Sequence, residues 1–147
     1  MDDAVACADL YLRSRDAAVP RVPPLVHDAD DVRRWMASHV LRTCETWLAE
    51  DDDGPIVGLL VLHGEWVEQL YVAPERSGHG VGGTLLELAK ERRPDGLQLW
   101  VFQTNAPAIR FYERHGFRRY GLVPRSLNID GRFYDDVEMM RTVSASD

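Results

Sequence analysis

Apolar positions near the N-terminus recur at helical spacing, with Val5, Ala8, Tyr11 and Leu12 on one face of residues 4 to 15. The stretch PRVPP, Pro20 to Pro24, then forces an extended connection. Asp28 to Val40 predicts a second helix, with acids near its start and Val32, Trp35, Met36, His39 and Val40 along one side. From Thr43 the period shortens. TCETWLAE, the turn DDDG and PIVGLLVLHGE read as a hairpin, with Asp51 to Asp53 as its solvated turn.

WVEQLYVAP predicts a third strand that ends at Pro74, and a helix follows from about Val81 to Arg92 with Val81, Leu85, Leu88 and Ala89 inward. GLQLWVFQT, Gly96 to Thr104, is apolar on both alternations, as a parallel strand covered on both faces requires. Strand, helix and strand in that order imply a right-handed crossover. In NAPAIRFYERHGF, Asn105 suits a cap, Pro107 the first turn and Gly116 the stop, while Ala108, Phe111, Tyr112 and His115 share a face. FRRYGLVPR and RFYDDVEMMRTV read as two closing strands around a polar loop, Ser126 to Gly131, and SASD as a frayed end.

The 147 residues suit one domain spanning 1–147, with 45% apolar and 28% charged residues. The longest apolar run, Ile56 to Leu62, is far too short to cross a membrane. The N-terminus has neither a basic segment nor an apolar one of the secretory kind, so a cytoplasmic location is expected. Cys7 and Cys44 make no disulfide framework, and the five histidines form no metal-ligand spacing, so no metal is expected. A net charge of -7 without a basic stripe argues against nucleic acid as a partner.

One stretch carries chemistry. VAPERSGHGVGGTLLELAK packs Gly78, Gly80, Gly82 and Gly83 between a strand and a helix, where backbone N–H groups meet the positive end of the helix dipole. Such a turn seats an anion, best a phosphate, and bare glycine lets a diphosphate lie against the backbone. A nucleoside-triphosphate loop needs Lys before Ser/Thr after the last glycine, but Gly83 is followed directly by Thr84. A dinucleotide fingerprint belongs to the first strand–helix unit and needs an acid ending the next strand, which Leu99 to Phe102 lacks. Coenzyme A is the better candidate.

LYVAPERSGHGVGGTLL, followed about twenty residues later by LQLWVFQTNAPAIRFYERHGF, resembles the two core motifs of the GNAT superfamily of N-acetyltransferases. The resemblance spans residues 56 to 123, and the leading helices and closing hairpin agree with the family's element order. It implies an α+β fold in a single domain, with a central mixed sheet of about six to seven strands and helices on both faces. It also implies acetyl-CoA as the acetyl donor. The diphosphate would sit on amides from Ser77 through Gly78, His79, Gly80, Val81, Gly82 and Gly83, and the pantetheine arm would pair with Leu70, Tyr71 and Val72. Asn105 matches the family asparagine that bonds the same arm; capping its helix is the alternative. One departure is Ser77, which stands where relatives carry Arg or Gln. Either Arg76 compensates or that phosphate contact is weaker.

The chemistry implied is attack of a neutral amine on a thioester, and a lysine-like amine is neutral in roughly one molecule in 2,500 at pH 7, a deficit of about 4.6 kcal/mol. Glu68, on the strand that grips pantetheine and on the face of Leu70 and Val72, is the expected base, directly or through water. Glu65 is a weaker substitute, and Trp100 closes the route through the following strand. Resemblance assigns the Val72 N–H to the developing oxyanion and Tyr112 to protonation of the leaving thiolate. His79 and His115 receive no catalytic role. The acceptor, a small-molecule amine or a peptide N-terminus, would be shaped by about residues 20 to 40 and 124 to 134. Trp35, Trp66 and Trp100 could line an aromatic pocket there. Family members often dimerise, which leaves a homodimer open. A domain that binds acyl-CoA without turnover, as a sensor or interaction module, is the alternative function.

Overall fold

Helix α1 (Asp3–Ala18) runs past the predicted end and buries Ala4, Cys7, Ala8, Leu10 and Tyr11, while Val5 and Leu12 of the predicted face are only half-buried. These elements come from a computed structural model that describes residues 3–19, 28–52, 54–122, 128–129, 132–133 and 137–142. The connection at Pro20 to Pro24, Asp53, most of the Ser126 to Gly131 loop and the SASD end lie outside them.

Helix α2 (Ala29–Trp35) starts where its sequence requires, because the Asp28 carboxylate accepts the Asp31 N–H at 2.8 Å. The predicted continuous helix is then widened by a π turn over Met36–Val40 before a short α3 (Leu41–Thr43). Val32, Met36 and Val40 are spaced by four, and the wider turn keeps Val40 in line with the other two, all buried. His39, predicted on the same face, is exposed as a result.

Strands β1 (Glu45–Glu50), β2 (Ile56–His63), β3 (Trp66–Val72), β4 (Gln98–Phe102), β5 (Phe117–Leu122) and β8 (Val137–Thr142) form one sheet in the order β1-β2-β3-β4-β8-β5. Every neighbouring pair is antiparallel except β3 and β4, which run parallel around the crossover helix α4 (Val81–Arg92). Helix α5 (Ala106–Arg114) follows β4, and the short strands β6 (Asn128–Ile129) and β7 (Arg132–Phe133) pair as a separate ladder between β5 and β8 in the chain.

Helices cover both faces. On one, Leu60, Leu62, Val67, Leu99 and Val101 pack with Leu85, Leu86 and Ala89 of α4 and Ile109 of α5. On the other, Val57, Leu59 and Val61 pack with Tyr11, Val32, Met36 and Val40. Leu86, not Leu88, completes the α4 face, since Leu86 is fully buried and Leu88 only half-buried. Each such buried leucine or valine contributes roughly 1.5–3 kcal/mol.

Candidate active site

The parallel strands β3 and β4 meet at one register pair, Trp66 with Gln98, where the Gln98 N–H donates to the Glu65 carbonyl at 2.8 Å. Beyond it a cleft of about 230 Å³ opens between Leu70 to Val72 on one side and Leu99 to Phe102 on the other, with Ser14, Arg15 and Ala18 of α1 at its rim. Ala73 donates to the Val57 carbonyl at 2.8 Å on the β2 side, so strand alternation turns the Val72 backbone groups toward the cleft. The Ser14 hydroxyl donates to the Val72 carbonyl at 3.0 Å and fixes α1 to this edge.

Glu68 lies at a break in the ladder. Pairing passes from Val61 with Gln69 to Leu62 with Val67, which leaves Glu68 as the extra residue of a β-bulge. A regular strand would place it on the face of Leu70 and Val72; the bulge turns it toward the α1–α2 side instead. Its Oε1 is 3.9 Å from His63 Nδ1, and it lines both the cleft and a second pocket of about 180 Å³ shared with Trp35, His39 and Val61. Glu65 is placed elsewhere, at the β2–β3 turn, where it accepts from Gln98 Nε2 at 2.6 Å.

Between β3 and α4 runs a groove of about 610 Å³, lined by Leu70, Val72, Ser77, Gly78, Gly80, Val81, Gly82, Gly83 and the facing side of α5. Its glycines divide into two pairs. Gly78 and Gly80 have φ of +82° and +86° with open space where a Cβ would stand, so the left-handed turn is what requires them. Gly82 and Gly83 lie inside α4, and an added Cβ would come within 3.3 Å of Phe111 and 3.2 Å of His115. These two let α4 approach α5, a role that the sequence reading had given to ligand approach alone. The first-turn amides of Val81, Gly82 and Gly83 meet no acceptor among the described residues, as expected at a helix start. Ser77 and His79 differ, since their N–H groups donate to the Pro74 and Arg76 carbonyls at 3.3 Å and 3.2 Å, which takes those two amides from the predicted seat.

Tyr112 lines both the groove and the cleft, and so marks their junction. Its ring packs on Phe111 and Phe117, with centroids 5.3 Å and 5.6 Å away, and its hydroxyl has no hydrogen-bond partner among the described residues. Burial, with a smaller contribution from Tyr71, pushes the phenol above its ordinary value, so it stays protonated at neutral pH. Asn105 precedes α5 and lines the cleft, and its side chain makes no capping bond. Capping therefore does not account for it. Tyr71 lines the cleft while its ring packs edge-on to Tyr11 at 5.0 Å.

The three tryptophans do not converge. Trp100 lines the cleft, edge-on to Phe102 at 5.6 Å, whereas Trp35 packs on Tyr11 at 5.5 Å and Trp66 begins β3. Arg76 lines the groove but pairs with Asp51, so the β1–β2 turn is an ion-paired anchor for the glycine loop and not merely solvated. Ser14, Arg15 and Asp51 were missed by sequence reasoning because each reaches the site through tertiary packing from a distant segment.

Comparison with known proteins places this geometry. A family profile described as an acetyltransferase (GNAT) domain matches residues 42–119. The peptidyl-lysine N-acetyltransferase YiaC of Escherichia coli is 34% identical over 95 residues, covering 64% of this chain and 57% of that protein. The streptothricin acetyltransferase of Streptomyces lavendulae is 37% identical over 87 residues, covering 52% and 46%. The match thus spans about half the length of these relatives. The apo form of YjaB from Escherichia coli superposes with a TM-score of 0.71 at 25% identity, covering 94% of this chain and 89% of that one.

Proposed function

Because the chain belongs to the GNAT acetyltransferase family, we propose that it is an acetyl-CoA-dependent N-acetyltransferase that moves an acetyl group to a primary amine by direct attack. The observation that carries this reading is continuity: one groove leads from the unsatisfied amides at the start of α4 to the split between β3 and β4, with Tyr112 at the join. Its volume, about 610 Å³, lies in the range of pockets that hold an extended organic ligand.

The residues present fit acetyl-CoA. Amides of Val81, Gly82 and Gly83, at the positive end of α4, hold a diphosphate without any side-chain cation. The cleft-facing backbone of Val72 and Leu70 takes the pantetheine arm as an added strand, with Asn105 opposite. Bound there, the donor supplies an acetyl thioester at the split. Tyr112, kept protonated by burial, holds the proton that the leaving sulfur needs. Glu68, on the α1–α2 side, accepts a proton from the incoming ammonium, directly or through water. The Val72 N–H points to the edge where charge develops.

The acceptor enters from the α1 side, past Ser14, Trp100 and Phe102. Peptide lysines and streptothricin, the acceptors named for the two relatives above, head the candidates. A thiol-release assay with lysine peptides, streptothricin, polyamines and amino acids tests the proposal. Sustained release with at least one amine is expected; saturable acetyl-CoA binding with no thiol from any of them would make the protein a binding module.

A further inference from the structure

Acetyl transfer to an ammonium leaves one proton to be disposed of in each turnover. The nitrogen loses two protons as its bond to the acetyl carbon forms, and the sulfur, keeping the electron pair of the broken carbon–sulfur bond, takes only one. The second must reach bulk water from a cleft occupied by donor on one side and acceptor on the other.

We propose that Glu68 and His63 form the outlet for this proton, an inference that rests on the acyl-transfer reading above. The bulge puts Glu68 in the wall between two spaces, the cleft and the 180 Å³ pocket beside His63. His63 Nδ1 stands 3.9 Å from the Glu68 carboxylate, a gap that one rotamer step or one water closes, and the pocket has room for several waters. The imidazole is 64% exposed, so it opens directly to solvent. An imidazole has two ring nitrogens, so it can take a proton on the one that faces Glu68 and give one up to solvent from the other. The other titratable groups on this pocket are His39 from the π turn and Cys44 before β1. Glu68 is the one carboxylate there among the described residues. Thus the bulge both aims the base and gives it a way to discharge into the pocket beside the π turn, which is separate from the cleft where donor and acceptor would meet.

The test compares wild type with His63→Gln, a surface change that the fold tolerates, by thiol release in dilute buffer with and without added imidazole. The variant is expected to lose kcat by about tenfold in dilute buffer, to keep its KM for acetyl-CoA, and to recover with imidazole, while wild type ignores it. Wild-type turnover in the variant, or a loss that imidazole does not restore, would overturn the outlet and leave the acyl-transfer reading standing. Absence of thiol release by wild type with every amine would overturn both.

Discussion

The split sheet presents two unlike sides. Toward α4 and α5 the site is built of backbone: a left-handed turn at Gly78 and Gly80, first-turn amides, and a helix brought close by Gly82 and Gly83. Toward α1 it is built of side chains, among them Glu68 on its bulge, the Ser14 hydroxyl and Trp100. Backbone construction restricts which residues can stand at each position, so it leaves a signature in the chain. Side-chain construction depends on what distant elements bring, and leaves almost none. In the proposed function the first side would take a donor of fixed shape and the second would select the acceptor.

The largest expected effect falls where the two sides meet. Tyr112→Phe should lower kcat on the order of 100-fold while acetyl-CoA affinity, measured by calorimetry, stays within about twofold; equal losses in both would make Tyr112 a packing residue only. Glu68→Gln should lower kcat by roughly tenfold and move the pH–rate profile toward higher pH. A general acid must be protonated to act, so Tyr112 bears on the alkaline limb of that profile, and burial moves that limb above the phenol's ordinary value.

The two glycine pairs sharpen the contrast on the backbone side. Gly80→Ala should cost about 1–2 kcal/mol in urea denaturation through its positive φ, and Gly80→Asn less, since Asn tolerates that conformation. At Gly82→Ala the contact with Phe111 opposes the helix-propensity gain of alanine, so a Phe111→Leu background should make the substitution more favourable while leaving the Gly80→Ala cost unchanged. Equal relief of both would merge two roles that the geometry separates.

The smallest effect lies outside the site. Glu45 accepts from Arg92, Trp47 and Arg93, which hold its carboxyl down at about 2. A depressed carboxyl stabilises the fold above its unfolded value near 4.5, and that stability is lost as pH falls toward 2. With partial solvent screening, Glu45→Gln should cost about 1 kcal/mol at pH 7. The difference from wild type should vanish near pH 2.

The same contrast explains what was legible. Glycine spacing, Pro74 and the stretch from Asn105 to Gly116 marked the end of β3, the start of α4 and helix α5, because each residue type there answers a local backbone demand. The β1–β2 hairpin and the parallel crossover to β4 followed from period and turn chemistry in Thr43 to Phe102. What could not be read was tertiary. Nothing local reveals that the β2–β3 ladder slips at Glu68, that a π turn exposes His39, or that Asp51 reaches Arg76. Nor does a run of glycines say which serve a turn and which admit a neighbouring helix; that required Phe111 and His115 in place.

The central claim is that backbone amides at the start of α4 hold the donor's diphosphate, and amide chemical shifts report on it directly. Titration of the labelled protein with acetyl-CoA is expected to move the Gly80, Val81, Gly82 and Gly83 resonances most, with Val72 next and Ser77 and His79 least within the loop. Saturable binding that leaves the Val81 to Gly83 amides unmoved would contradict the account.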